Sequence, residues 1–321
     1  MRPKVWLAWK WPPEALAWLE AVAEVISEGN MTNLAGADVV LISRENANGE
    51  FMDRVGPQLK LLARPGIGVD GIDLAAATER GILVTNTPDG PTESTAEHAV
   101  ALLLAVAKRV VVGDMQLRGA DIPRSQLVGT EVRDRTLGVV GYGRIGRRVA
   151  EIGALGLKMR VLAYDPFLVG TAPTLTGVEM IADLDTLLAQ ADFVTLHIPL
   201  TPQTHPLLGE RELRLMKPGS YLINASRGPV VNEAALIRLL AEGHLAGAGL
   251  DVFDPEPPEP DNPLLRMANV VVTPHIASYT DRGLAAMMNG AIDQILQVLR
   301  GERPPFLVNP EVWPGRVGLG K

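Results

Sequence analysis

The sequence contains no cysteine. That excludes a disulfide framework, a zinc-thiolate site and a thiol nucleophile. It also lacks an excess of positive charge. Its 30 lysines and arginines face 37 aspartates and glutamates, a formal net charge of −7, which argues against a nucleic-acid polyanion as the main partner. No run approaches the roughly 18 apolar residues of a membrane span. The opening stretch MRPKVWLAWKWPP is broken by Lys10 and stopped by Pro12 and Pro13, too short for a secretory core. These absences predict a cytoplasmic protein with neither membrane nor nucleic acid as partner. No His/Asp/Glu cluster has metal-ligand spacing, so no metal is expected, and there is no G-x-S-x-G elbow and no Walker loop. With 32 glycines and 25 prolines, the chain stays below the level of a disordered one.

A length of 321 residues exceeds what one core usually supports, so two domains are expected. Short apolar runs predict strands over 4–9, 38–42, 59–63, 82–85, 136–140, 160–164, 192–196, 220–224, 246–251 and 269–273. Amphipathic patterns over 145–155, 183–190 and 232–241 lie between them, and longer ones cover 93–112 and 281–300. Buried strands alternating with helices give an α/β fold with mostly parallel sheets. The pattern predicts two Rossmann- or flavodoxin-like domains. A nucleotide-binding domain, 93–285, is inserted into a discontinuous substrate domain, 1–92 and 286–321.

The pattern G-x-G-x-x-G occurs twice. The copy Gly141-Tyr142-Gly143-Arg144-Ile145-Gly146 follows the strand over 136–140 and opens a helix. The next strand ends in Asp165, placed as a ribose-binding carboxylate is placed. Glycines there let the backbone approach a pyrophosphate, and the helix N-terminus carries partial positive charge toward it. Asp165 favours NADH over NADPH. Two like charges at ~4 Å cost about 1 kcal/mol in water and about 4 kcal/mol at an effective dielectric of ~20. Arg144 has two readings, a pyrophosphate contact or a solvated surface cation. The other copy, Gly66 to Gly71, follows Pro65, and no acid ends the strand after it. It reads better as a tight loop whose N–H groups around Ile67 and Gly68 hold a small anion.

Hydride chemistry needs a group that orients a carbonyl and a proton donor beside it. Arg227 and His275 each follow a strand in the nucleotide domain, where open α/β sheets place ligands. Arg227 is suited to a bidentate pair with a carboxylate or to a surface cap, and His275 to proton exchange or to a structural bond. A carboxylate beside His275 would orient its ring. Asp251, Asp254, Glu256 and Glu259 compete for that place, and spacing does not choose among them. His98 falls in a helical pattern, His205 in a polar loop, His244 at a helix end, and His197 at a strand end with a structural role preferred.

The ordered set Gly66-Ile-Gly-Val-Asp-Gly-Ile-Asp73, Asn86-Thr-Pro88, Thr95-Ala-Glu-His98, Gly141 to Gly146, His197-Ile-Pro-Leu-Thr201, Asn224-Ala-Ser-Arg-Gly228, Asp251 to Pro257 and Thr273-Pro-His-Ile276 resembles the D-isomer-specific 2-hydroxyacid dehydrogenase family over nearly the whole chain. The resemblance implies an NAD-dependent oxidoreductase. In it Arg227 binds a 2-keto acid, His275 is the acid/base and Glu256 is its partner. It gives the Ile67 and Gly68 backbone the substrate carboxylate and Asp251 the nicotinamide amide, while Thr95, Pro199 and Ala225 line the cofactor cleft. It implies homodimers through the nucleotide domain and a cleft that closes on substrate. Glyoxylate or hydroxypyruvate reduction is the first expectation and 3-phosphoglycerate oxidation the second. A reading from another class is an NAD-sensing protein like the corepressors that share the family resemblance. Unusual acid chemistry, formate or phosphite oxidation, is a third, and Ile67 stands where phosphite-oxidising relatives use Lys.

Departures concern the pocket. Gly119 to Gln126 has no Trp where many relatives carry one, and Asp89-Gly90-Pro91-Thr92 replaces bulkier apolar residues, so a differently shaped pocket is expected. Tyr142 replaces a Leu or Met with little effect expected. The end at residue 321 would leave no room for the regulatory extension of some phosphoglycerate dehydrogenases. Arg44, in Ser43-Arg44, is a further candidate for an anionic substrate.

Overall fold

The computed structural model describes residues 2–8, 13–26, 34–42, 46–168, 170 and 175–315. Ser43 and Arg44 lie outside the described residues. The chain divides into two units, Met1–Pro91 with Asp281–Lys321, and Thr92–Thr280.

The first unit is a parallel five-stranded sheet built from β1 (Lys4–Leu7), β2 (Glu24–Ile26), β3 (Val39–Leu41), β4 (Leu61–Ala63) and β5 (Leu83–Thr85). Their spatial order is β2-β1-β3-β4-β5. The chain reverses direction across the sheet at β1, as in flavodoxin-like folds. β3, β4 and β5 are buried along their whole length, and β3 and β4 read as unbroken apolar runs in the sequence. One face packs under α2 (Gly49–Val55) and α3 (Leu74–Glu79), the other under α1 (Pro13–Glu20) and α10 (Asp281–Leu299). Asn309 ties the tail to β5: its Oδ1 accepts from Val84 N–H at 2.8 Å and its Nδ2 donates to Ile82 O at 2.8 Å.

The second unit is a parallel seven-stranded sheet. It contains β6 (Thr136–Val140), β7 (Arg160–Tyr164), β8 (Val178–Met180), β9 (Phe193–Leu196), β10 (Ser220–Asn224), β11 (Leu245–Leu250) and β12 (Val270–Val272). The order is β12-β11-β10-β9-β6-β7-β8. β6 pairs with both β7 and β9, so the winding reverses there. The loops after β6 and β9 flank that switch point, the usual ligand position of an open α/β sheet. One face is covered by α4 (Thr92–Ala107) and α6 (Arg144–Glu151), the other by α7 (Leu184–Gln190), α8 (Glu210–Leu215) and α9 (Glu233–Ala241).

Two strands escape the sequence pattern, β2 and β8. Both are three-residue edge strands with exposed or half-buried positions, so neither offers an apolar run. The helix expected over 93–112 is broken. α4 ends at Ala107, Arg109 adopts a left-handed conformation at φ 56, and α5 (Val110–Leu117) follows. The cause is tertiary: the Thr130 N–H takes the Ala107 carbonyl at 2.7 Å, the acceptor that the next helical turn would need.

Candidate active site

The glycine loop after β6 is shaped by contacts that a side chain would forbid. Gly141 has φ +90, and a Cβ on it would lie 2.4 Å from the His197 carbonyl oxygen. A Cβ on Gly146 would lie 1.9 Å from the Gly141 carbonyl oxygen, so α6 starts hard against the strand. Gly143 differs: a Cβ there would meet nothing within 4 Å. Gly143 and Arg144 are exposed at the start of α6, and Ile145 is half-buried. Open space over Gly143, at the helix N-terminus, suits a pyrophosphate. Asp165, just past β7, has one carboxylate oxygen on the Tyr142 N–H and the other on the Phe167 N–H, each at 3.0 Å. The acid is thereby fixed to the glycine loop with further acceptor capacity left. These residues fit a dinucleotide.

Other candidates follow the later strands. Beyond β10, Asn224 donates through Nδ2 to the Arg227 carbonyl at 2.8 Å and accepts through Oδ1 from the Ser226 N–H at 3.0 Å. A small polar side chain thus folds the turn that carries Arg227. The half-buried guanidinium of Arg227 donates to the Ser226 carbonyl at 2.6 Å. Gly228 then passes so close to Phe253 that a Cβ would lie 1.9 Å from its carbonyl oxygen. Ala225 is half-buried beside this turn, and Pro199 is exposed past β9 with its carbonyl held by the Thr204 hydroxyl at 2.7 Å.

Of the four competing acids, Glu256 meets His275, its Oε1 lying 2.5 Å from Nδ1. A carboxylate accepts only, so Nδ1 carries the hydrogen and Nε2 is left for chemistry. Both side chains are about one-third exposed, at 36% and 33%. Glu233, at the start of α9, holds both ends of the Glu256 loop. It accepts from the Asp254 N–H at 3.2 Å and from Asn262 Nδ2 at 2.7 Å. His275 itself has φ 55, a left-handed conformation that costs a side-chain-bearing residue on the order of 1–3 kcal/mol.

Asp251 supplies the compensation. Its carbonyl accepts the His275 N–H at 2.8 Å. Its carboxylate accepts the Thr273 hydroxyl at 2.6 Å and the Ile276 and Ala277 N–H groups at 2.9 Å each. The residue is fully buried. Burial alone would raise its pKa, but bonds from His98, Thr273 and the two amides outweigh that and hold it below the ordinary aspartate value. The sequence alone assigns Thr273 and His98 no roles of their own. Their signal lies in the Thr-Pro-His and Thr-Ala-Glu-His motifs. Thr95 is buried within α4. His197 donates or accepts only at Nε2, 2.9 Å from the Thr195 hydroxyl, while its sealed Nδ1 has no partner among the described residues. Burial pushes its pKa down to about 3, so it stays neutral and is no proton donor near neutral pH.

In the first unit, the loop after β4 is held by its carbonyls. Asn86 donates to Ile67 O at 2.8 Å, Arg64 to Gly68 O at 3.1 Å, and the Thr87 hydroxyl accepts from the Gly66 N–H at 2.7 Å. These bonds engage the carbonyls of Ile67 and Gly68, the two residues whose N–H groups are expected to hold an anion. Ile67 is 38% exposed, unusual for Ile and consistent with an open loop.

Residues 100–277 match the family model of the D-isomer specific 2-hydroxyacid dehydrogenase, NAD binding domain. A glyoxylate reductase of Korarchaeum cryptofilum is 46% identical over 260 residues, 80% of this chain and 78% of that protein. A D-3-phosphoglycerate dehydrogenase of Archaeoglobus fulgidus is 45% identical over 242 residues, which are 75% of this chain. The match spans only 45% of that longer relative. The crystal structure of the TT0316 protein from Thermus thermophilus superposes with a TM-score of 0.85 at 40% identity, covering 95% of this chain and 99% of that one. The chain belongs to the D-isomer specific 2-hydroxyacid dehydrogenase family.

Proposed function

We propose that this protein reduces a small 2-keto acid, glyoxylate or hydroxypyruvate, to the D-2-hydroxy acid with NADH. The observation that carries the reading is the His275–Glu256 pair, fixed beyond parallel strands of the unit that also holds Arg227 and the glycine loop. A bound reduced nicotinamide supplies hydride to the carbonyl carbon. His275, protonated on both nitrogens, gives its Nε2 proton to the carbonyl oxygen as negative charge develops there. Glu256 keeps the ring oriented through Nδ1 and stabilises the imidazolium. Arg227 pairs with the substrate carboxylate and carbonyl oxygen. In the first unit, the Ile67 and Gly68 amides are proposed as donors to an anion. Gly141, Gly143, Arg144, Ile145 and Gly146 would hold the cofactor's pyrophosphate, Asp165 its ribose, Asp251 its nicotinamide amide, and Thr95, Pro199 and Ala225 its flanks.

Gly146 and Gly143 separate folding from binding. Gly146→Ala drives a methyl into backbone and is expected to destabilise the fold by about 3 kcal/mol. Gly143→Ala meets open space, so its melting temperature stays near wild type while NADH affinity falls roughly tenfold, the cost of a methyl against the pyrophosphate. Thermal melts alongside NADH fluorescence titrations check both. Equal loss of stability in the two variants contradicts the assignment of Gly143 to the cofactor.

The protein is read as a cytoplasmic homodimer through the nucleotide-binding unit. Among the described residues no helix is long and apolar enough to cross a membrane. Val110, Leu117 and Val128 stand 57%, 90% and 77% exposed on and after α5, an apolar surface suited to a second copy. The deciding assay follows nicotinamide absorbance with glyoxylate, hydroxypyruvate, phosphohydroxypyruvate, pyruvate, phenylpyruvate and a branched keto acid, each with NADH and NADPH. Turnover of glyoxylate or hydroxypyruvate is expected. Turnover of phosphohydroxypyruvate alone would favour phosphoglycerate oxidation, the reading that the Archaeoglobus relative supports. NADH binding with no turnover of any acid would replace both with an NAD sensor.

A further inference from the structure

We propose that His98, in the middle of α4, is a positioning residue for proton transfer at His275. The inference rests on His275 being the acid/base of the reading above. It starts from a match of two repeats. Val106, Leu102 and His98 are spaced by four and share one face of α4. Gly247, Gly249 and Asp251 are spaced by two and share one face at and beyond β11. Four helical residues rise about 6 Å and two strand residues about 6.6 Å, so the two series stay in step.

The contacts follow that step. A Cβ on Gly247 would lie 2.8 Å from Val106 Cγ2, and one on Gly249 would lie 2.9 Å from Leu102 Cβ. The third pair is polar: His98 Nε2 lies 3.4 Å from Asp251 Oδ1. The glycines let α4 settle onto the sheet, and that docking delivers the imidazole to the buried carboxylate under the His275 turn.

The hydrogens are assigned by elimination. Thr273 has one hydroxyl proton and gives it to Asp251 Oδ1 at 2.6 Å. His98 Nε2 lies 2.9 Å from the same Thr273 oxygen, which therefore accepts from His98. The chain runs from His98 to Thr273 to Asp251, and Asp251 accepts the N–H groups of Ile276 and Ala277, the two residues after His275. Residues 273–277 are thus held at both ends around His275, whose left-handed backbone would otherwise relax. His98 touches neither reacting atom; it fixes the turn that aims Nε2 of His275.

The test compares His98→Leu, His98→Gln and Thr273→Val in the full chain. His98→Leu is expected to lower kcat for the best keto acid about 10- to 100-fold, the effect of a sub-ångström to ångström misplacement. KM for NADH should move less than about threefold. Gln retains an N–H donor at nearly the same reach and should recover kcat to within about threefold of wild type. Because His98 and Thr273 act in one chain, the double variant should be little worse than the poorer single one. Selective ¹⁵N-histidine labelling gives a readout without turnover, since the chain has only five imidazoles. The Nδ1–H resonance of His275 should persist in wild type and His98→Gln and be lost in His98→Leu. The proposal falls if His98→Leu keeps kcat within about twofold, or if Gln rescues neither kcat nor the resonance. Should His98→Leu fail to fold, Gln and Thr273→Val decide, the latter expected to lose kcat without losing NADH affinity. A wild type that turns over no keto acid overturns the proposed function, and the resonance then still decides whether His98 orders His275.

Discussion

His275→Ala is expected to lower keto acid turnover by roughly 10²–10⁴-fold while NADH still binds. The size follows from what is removed. The imidazole is oriented by the 2.5 Å contact to Glu256, and its Nε2 is free of that bond and able to meet a carbonyl oxygen. Without it, water must supply the proton to an oxygen on which charge is building. The fold should tolerate the change. The side chain is about one-third exposed, and alanine leaves the backbone bond from residue 275 to Asp251 intact. Glu256→Gln keeps an acceptor for Nδ1–H but withdraws the charge that stabilises the imidazolium, so it should cost less than His275→Ala. Steady-state rates with glyoxylate and fluorescence titration of NADH check the pair. Turnover within about tenfold of wild type in His275→Ala would take the proton-transfer role away from this residue.

How much of this was legible in the sequence depends on the range of the forces involved. The two parallel sheets were legible because strands buried on both faces must be largely apolar: β3 and β4 are so throughout, and β6 and β10, also fully buried, carry polar residues only at their ends. Edge strands β2 and β8 escaped because an edge needs no such run. The break between α4 and α5 escaped because its cause, the Thr130 amide on the Ala107 carbonyl, comes from 23 residues away. At the site, Arg227 and His275 could be located because they stand just beyond strands. Glu256 could not be selected among Asp251, Asp254 and Glu259, since four acids fall within nine residues. The loop that carries Glu256 is placed by Glu233 at the start of α9, which holds Asp254 N–H and Asn262. The Gly247 and Gly249 spacing did carry information, a groove for a helix, but only the register of α4 turns that into a statement about His98 and Asp251.

Asp165 should control which dinucleotide is used, and its removal should shift the ratio of kcat/KM for NADPH over NADH upward by roughly ten- to a thousandfold. The electrostatic argument sets that range: an acid near a 2′-phosphate at ~4 Å costs about 1 kcal/mol if solvated and about 4 kcal/mol at an effective dielectric of ~20. Asp165 is half-buried, which places it between those limits. The geometry adds a second consequence. Its two oxygens hold the Tyr142 and Phe167 N–H groups, so Asp165→Ala also releases the glycine loop from the end of β7. Absolute efficiency with NADH should therefore fall at the same time as the preference shifts. Asp165→Asn separates the two effects. It has no charge but keeps one acceptor oxygen, enough for one of the two amides. If charge discriminates, Asn and Ala shift the NADPH to NADH ratio alike, while Asn retains more of the activity with either cofactor. Parallel kinetics with both cofactors on the three proteins read this directly. A ratio unchanged in both variants would move the discriminating contact away from Asp165. A ratio shifted in Ala but not in Asn would assign the preference to the loop geometry that Asp165 maintains rather than to its charge.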